Sequence, residues 1–224
     1  MMIRQLVSIG VAAVAVPYIL YQVRKPDRWF GRLFAWSMNR SHSALTDWGL
    51  THIAIGSGFA ILDVGCGGGA TVRKLATAAS AGRVTGVDYA GGSVATSRAT
   101  NAARIREGRV EIRQASVSDL PFPDGSFDLV TAVETHYYWP DLPGDLKQVF
   151  RVTRPGGTAI VIAEAYRGSS TSGLMEPAMA LLRVRLMTAD QHRDWFAGAG
   201  FTDVQVFEEK NHGWICITGR KPAA

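Results

Sequence analysis

One stretch constrains this 224-residue chain more than any other: Ala60-Ile-Leu-Asp-Val-Gly-Cys-Gly-Gly-Gly-Ala70. A short apolar run carrying one acid, Asp63, breaks into a turn crowded with glycine and then enters a helical pattern. Ile61, Leu62 and Val64 read as a buried parallel strand, too tightly bounded to be a helix. Gly65, Gly67 and Gly69 lack a Cβ, so the backbone turns sharply and lets a ligand approach closely. The helix that follows offers free N–H groups and the positive end of its dipole. Strand, turn and helix in this order form a cradle for a nucleoside-bearing ligand.

The downstream pattern is that of an α/β domain. Thr71 to Ala79 continues as a helix with Val72, Leu75, Ala76 and Ala79 on one face, stopped by Gly82. Arg83 to Asp88 is a second strand closing on an acid, about 20 residues past the glycine turn, where a ribose-binding carboxylate belongs. Tyr89 follows, placed either to pack on a bound nucleoside or to join the core. Ser93 to Glu107 reads as one helix, Val110 to Ala115 as a third strand, and Asp128 to Glu134 as a fourth. The cluster Glu134-Thr-His-Tyr-Tyr-Trp-Pro140 ends that fourth strand, and ligands of open α/β sheets bind outside the carboxyl ends of strands. A helix opened by Asp141 leads to a fifth strand, Thr158 to Ala165. Residues 166–187 read as a flexible loop and an apolar helix. Thr188 caps a further helix, and Phe201–Glu209 with Gly213–Gly219 form a terminal antiparallel hairpin.

Asp63-x-Gly65-x-Gly67-x-Gly69 resembles the first motif of the class I S-adenosylmethionine-dependent methyltransferases. Leu120-Pro-Phe-Pro-Asp-x-Ser-Phe-Asp128 and Arg151-Val-Thr-Arg-Pro-Gly-Gly157 resemble that family's segments before strands four and five, the quinone-biosynthesis C-methyltransferases in particular. The resemblance covers residues 58–165 and, loosely, the terminal hairpin. It implies a Rossmann-like, doubly wound seven-stranded sheet in the order 3-2-1-4-5-7-6, strand seven antiparallel. It also implies S-adenosylmethionine as cofactor, held by Asp63, Gly65, Cys66, Gly67, Asp88, Tyr89 and Glu134. The family's acid after strand three, which meets the adenine amine, is replaced by Ser116; Ser116 takes that part without charge, or Asp119 reaches in, and the Val117 N–H serves adenine in either case. His136 and Tyr137 are the candidate catalytic residues, and His42, Tyr138, Trp139 and Tyr166 the candidate acceptor pocket. The acceptor so implied is a small, partly apolar or lipid-like molecule.

The N-terminal part divides from this domain. Residues 1–25 hold an uncharged apolar run, Leu6 to Val23, just long enough to span a bilayer. Arg24, Lys25, Arg28 and Arg32 after it would keep the following domain in the cytoplasm. A helix docked on its own domain and a signal peptide are the other readings. Residues 26–56, rich in Trp and Phe, read as a helical cap over the cofactor cleft, and 57–224 as the methyltransferase domain. Residues 1–50 carry six basic and two acidic side chains, most of the formal net charge of +5. The remainder is nearly balanced, which argues against a nucleic-acid groove across it. The two cysteines, Cys66 and Cys216, form no disulfide framework, and no His/Cys/Asp/Glu cluster has metal-ligand spacing.

Two other function classes stay open on the sequence. Gly65-x-Gly67-x-x-Ala70 also satisfies the dinucleotide fingerprint of an NAD-dependent oxidoreductase, but the chain's one Tyr-x-x-x-Lys, Tyr21 to Lys25, lies in the N-terminal appendage. A non-catalytic S-adenosylmethionine-binding module is the other.

Overall fold

The computed structural model describes residues 43–169 and 186–223. The Leu6–Val23 segment, His42, the Tyr21–Lys25 pair and most of the expected 174–187 helix lie outside the described residues. No helix among the described residues is long and apolar enough to cross a membrane.

The chain runs α1 (Ser43–Leu50), β1 (Ala60–Val64), α2 (Ala70–Ala78), β2 (Arg83–Asp88), α3 (Gly91–Thr100), α4 (Ala102–Arg106) and β3 (Val110–Gln114). A 3-10 turn at Val117–Asp119 leads to β4 (Phe127–Val133), and a second at His136–Tyr138 to α5 (Leu142–Val152) and β5 (Thr153–Ala163). α6 (Ala189–Gly198), β6 (Thr202–Glu209) and β7 (Trp214–Arg220) complete it. The seven strands order β3-β2-β1-β4-β5-β7-β6, as expected. β1 pairs in parallel with β2 and β4, and β7 runs antiparallel to both β5 and β6.

Both faces of the sheet are covered, which is why the central strands read as continuous apolar runs rather than alternating ones. On one face Leu62, Val130 and Val161 pack with Leu146 and Val149 of α5 and Phe196 of α6. On the other, Ile61, Leu129 and Ile160 pack with Leu45 of α1, Val72 and Leu75 of α2 and Val94 of α3. Each such side chain, taken wholly out of water, contributes about 1.5–3 kcal/mol. α6 starts at a full capping box, Thr188 and Gln191 each accepting the other's backbone N–H at 3.2 and 2.9 Å; Ser/Thr-x-x-Gln satisfies two orphan donors at once.

Two local expectations are corrected. The helix expected over Ser93–Glu107 is two, broken at Asn101, whose buried amide donates to the Gly69 and Ser97 carbonyls, each at 3.0 Å. β5 begins at Thr153, so Arg154–Gly157 is a bulge within the strand rather than a turn before it, with the register shifting between Phe127 and Leu129. The described part of the expected cap, α1, packs against α2, β5 and β7, with Gly49 pressed against Ile162. No residue from 43 to 56 lines the cleft described below.

Candidate active site

A cleft of about 580 Å³ opens at the carboxyl ends of β1, β2, β3 and β4. Val64 and Gly65 form its floor, Val87, Asp88 and Tyr89 one wall, Ala115 to Val117 a second, and Thr135 with Tyr137 to Pro140 the far end.

Glycine is dictated by different neighbours at the two critical positions. Gly65 has φ +72, and a Cβ there would meet the Thr135 hydroxyl at 2.0 Å, so the protein itself fills that space. Gly67 has φ +49 with nothing within 4 Å of its would-be Cβ. That side of the turn is open space, although Gly67 is not itself among the residues that line the cleft. Asp88 ties the turn to β2: its Oδ2 accepts the Gly67 N–H at 2.9 Å and its Oδ1 the Ala90 N–H at 2.8 Å. With Ser93 also hydrogen-bonded to it, the carboxylate has about four acceptor sites, of which three are used within the protein. Burial raises the Asp88 pKa, against the backbone hydrogen bonds from Ala90 and Gly67 that lower it.

The family described as a methyltransferase domain matches residues 62–161, the span from β1 to β5 that builds this cleft. Residues 62–161 form a methyltransferase domain of the class I S-adenosylmethionine-dependent kind, and S-adenosylmethionine is its cofactor. An uncharacterized Bacillus subtilis methyltransferase, YdaC, is 26% identical over 188 residues, 83% of this chain and 96% of that protein. The 2-methyl-6-phytyl-1,4-hydroquinone methyltransferase of Arabidopsis thaliana chloroplasts is 26% identical over 91% of this methyltransferase, which spans 63% of its length. Among solved structures, human N-acetylserotonin methyltransferase superposes with a TM-score of 0.72 at 21% identity, over 96% of this chain and 61% of that one.

The methyltransferase's expected site residues fall into two groups. Gly65, Asp88, Tyr89, Ser116, Val117, Tyr137, Tyr138 and Trp139 all line the cleft. Tyr89 is 44% exposed, the one large exposed hydrophobic among the described residues. The Ser116 hydroxyl accepts the Ser118 N–H at 3.2 Å, capping the 3-10 turn. Asp119, the other candidate for the adenine amine, is not a lining residue.

The second group sits behind the walls. Asp63 is 2% exposed and accepts the Thr131 hydroxyl at 2.6 Å; burial raises its pKa to about 7, and the Asp88 charge adds to that rise. The Cys66 thiol packs in the opposite layer, 3.7 Å from the Ser97 hydroxyl, its pKa pushed up by burial. Glu134 adopts φ +57, and its carboxylate accepts the Glu164 N–H, clamping the ends of β4 and β5 together. Tyr166 is 2% exposed within the core; burial, then a hydrogen bond to Glu208, raises its pKa to about 12.

His136 is also behind the wall, 2% exposed. His192 of α6 donates through Nδ1–H to the Thr188 carbonyl at 2.8 Å, so its Nε2 is an acceptor, 3.3 Å from His136 Nε2. His136 therefore carries its proton on Nε2 and donates it to His192. Burial first and the His192 neighbour second hold the His136 pKa well below the usual value. Tyr137, its ring tilted against that of His136 with centroids 4.2 Å apart, does face the cleft. Its hydroxyl donates to the Ala165 carbonyl at 2.9 Å and accepts the Ala165 N–H at 3.1 Å.

Sequence reasoning missed Thr135, Asn101 and His192. Thr135 had a signal: a glycine at the start of the turn implies a neighbour occupying its Cβ space. Asn101 and His192 act through partners 32 and 56 residues away, for which local pattern holds no sign.

Proposed function

We propose that this protein transfers a methyl group to a small, partly apolar or lipid-like acceptor that enters at the aromatic end of the cleft. The observation that carries this reading is the cleft's lining, in which the Asp88 carboxylate and the Gly65 backbone share one cavity with Tyr137, Tyr138 and Trp139. S-adenosylmethionine, when bound, supplies an electrophilic methyl group on a sulfonium. We assign Asp88 to the ribose hydroxyls, Tyr89 to the adenosine face, the Val117 N–H to adenine, and the Gly65–Gly67 backbone to the remainder of the cofactor. Asp63 holds the turn from beneath through Thr131. Tyr138 and Trp139 enclose the acceptor and exclude water, and His42 is assigned to the same pocket from sequence alone.

The leaving group is already cationic, so no acid is called for. Alignment of donor and acceptor is the main source of rate and is worth roughly 7–11 kcal/mol for well-oriented pairs. Tyr137, its pKa pushed far above its ordinary value by burial and nearby carboxylates, is a neutral hydrogen-bonding phenol here rather than a base. His136 acts from behind by fixing the Tyr137 segment. The Arabidopsis relative's phytylhydroquinone supports an acceptor of mixed ring and apolar-chain character. We further read Leu6–Val23 as an anchor that leaves the catalytic domain on the cytoplasmic side; deleting residues 1–25 then releases the protein from membranes.

The test is a labelled methyl donor incubated with the protein and a lipid and metabolite extract, beside calorimetry with S-adenosylhomocysteine and with NAD. Tight S-adenosylhomocysteine binding and label in an organic-soluble product support the reading. Tight NAD binding in its place, or cofactor binding with no labelled product from any fraction, overturns it.

A further inference from the structure

The domain's near-zero balance conceals a strong asymmetry. Residues 70–109 hold seven basic side chains against Asp88, which is buried, and Glu107, whereas 110–224 hold eleven basic against fourteen acidic. The cations of the first stretch gather where α2 meets α4. Arg73, Lys74, Thr77 and Arg104 line a shallow depression of about 420 Å³ between the two helices. Arg104 donates to the Thr77 hydroxyl at 3.0 Å, and its Nε is buried with no partner among the described residues. Arg109 reaches the Ala76 carbonyl of α2 at 3.0 Å but is neutralised by Glu107 at 2.9 Å. Lys74 is likewise paired with Asp47. Arg73 and Arg104 have no acidic partner among the described residues.

The described chain begins beside the same face. Ser43, the first described residue, accepts from the Lys74 ammonium through its hydroxyl at 2.9 Å and its carbonyl at 3.2 Å. The 42 residues before it, with Arg24, Lys25, Arg28, Arg32 and Arg40, therefore join the domain beside this depression. α2 itself begins at Ala70, directly after the glycine turn, so the basic face is one helix away from the cofactor cleft.

We infer that the α2–α4 face is a docking surface for an anionic phospholipid bilayer, the guanidinium groups of Arg73 and Arg104, which no acidic side chain neutralises among the described residues, seated among headgroup phosphates. Guanidinium matches phosphate geometry through paired donors, and each such cation near an anionic membrane adds about 1 kcal/mol, roughly a five-fold gain. The inference stands apart from the acceptor's identity and from whether Leu6–Val23 inserts.

The experiment is cosedimentation of the full chain with phosphatidylcholine vesicles containing 30 mol% phosphatidylglycerol (about one anionic lipid in three) and with phosphatidylcholine alone. Any contribution of the N-terminal segment that does not depend on lipid charge is common to both vesicle types, so the readout is the ratio of the two affinities. The expected result is a ratio well above one that collapses in high salt and falls about twenty-five-fold in Arg73→Gln/Arg104→Gln. Arg73→Gln alone, at an exposed site, lowers it by about five-fold, and S-adenosylhomocysteine affinity is unchanged in both variants. An unchanged ratio in the variants overturns the inference. So does displacement from vesicles by millimolar inorganic phosphate, which would mark a free-phosphate site, or by a short nucleic-acid duplex, which would mark a nucleic-acid surface.

Discussion

His136 and His192 meet Nε2 to Nε2 at 3.3 Å in a pocket closed by the Trp195 ring, whose centroid lies 5.8 Å from the first and 6.4 Å from the second. The pair joins the segment that ends β4 to the first turn of α6. Its proton order runs one way, from His136 through His192 to the Thr188 carbonyl, and it works only while both rings are neutral. Burial lowers the His192 pKa to about 4, and His136 is also displaced downward.

A pH dependence of stability follows. In the unfolded chain both imidazoles take up a proton near pH 6.5; in the folded protein they resist it. Below that pH the unfolded state binds more protons, so stability is full above about 6.5 and falls as pH drops toward 4. Each histidine steepens the loss by up to about 1.4 kcal/mol per pH unit. His192→Leu leaves the His136 N–H buried without its acceptor and costs about 1–3 kcal/mol at pH 7.5, yet its decline between pH 6.5 and 5 is shallower than that of the wild type. Thermal melts at half-unit steps measure both; parallel curves would show that the pair is not the source.

The two glycines of the turn separate folding from binding. Gly65→Ala drives a Cβ into Thr135 at a positive φ, so it lowers the melting temperature and abolishes S-adenosylhomocysteine binding together. Gly67→Ala meets no protein atom and carries only the cost of a left-handed residue, about 1–2 kcal/mol. It should fold, and still bind S-adenosylhomocysteine at least ten-fold more weakly, because the added methyl occupies the approach to the backbone. Calorimetry on the folded Gly67→Ala protein decides; wild-type affinity would remove this side of the turn from the site.

The contrast between these residues and the ones hidden from sequence reading has a physical cause. β1, the glycine turn and Asp88 announce themselves because strand burial, positive φ and the acid's placement are local constraints on residue type. Side-chain direction is not: Cys66 is one residue past Gly65, yet its thiol enters the opposite layer, and His136 precedes the cleft-facing Tyr137 while pointing into the core. The break at Asn101 was invisible for a related reason. Apolar spacing continues through it, and what stops the helix is an amide that captures the Gly69 carbonyl from 32 positions away. Asn101→Leu should therefore loosen the glycine turn, raising amide exchange at Gly67 to Gly69 and weakening S-adenosylhomocysteine binding several-fold, with α2 itself still formed.

Asp88 offers the sharpest test of the cofactor assignment. It holds Gly67 and Ala90 by backbone hydrogen bonds whether or not a ligand is present, so Asp88→Ala confuses loss of the turn with loss of the ribose contact. Asp88→Asn keeps one acceptor oxygen and the side chain's shape while removing the charge. Of the two backbone donors only one can then be satisfied, which costs about 1–3 kcal/mol of stability. The ribose loses a charge-assisted hydrogen bond, worth about 1.5–3 kcal/mol, and S-adenosylhomocysteine affinity should fall by about ten-fold or more. The discriminating measurement is the same titration with S-adenosylhomocysteine and with its 2′,3′-dideoxyribose analogue. The wild type should prefer the natural ligand strongly and Asp88→Asn should barely distinguish them; an equal preference in both proteins would mean that the carboxylate braces the turn without touching the ribose.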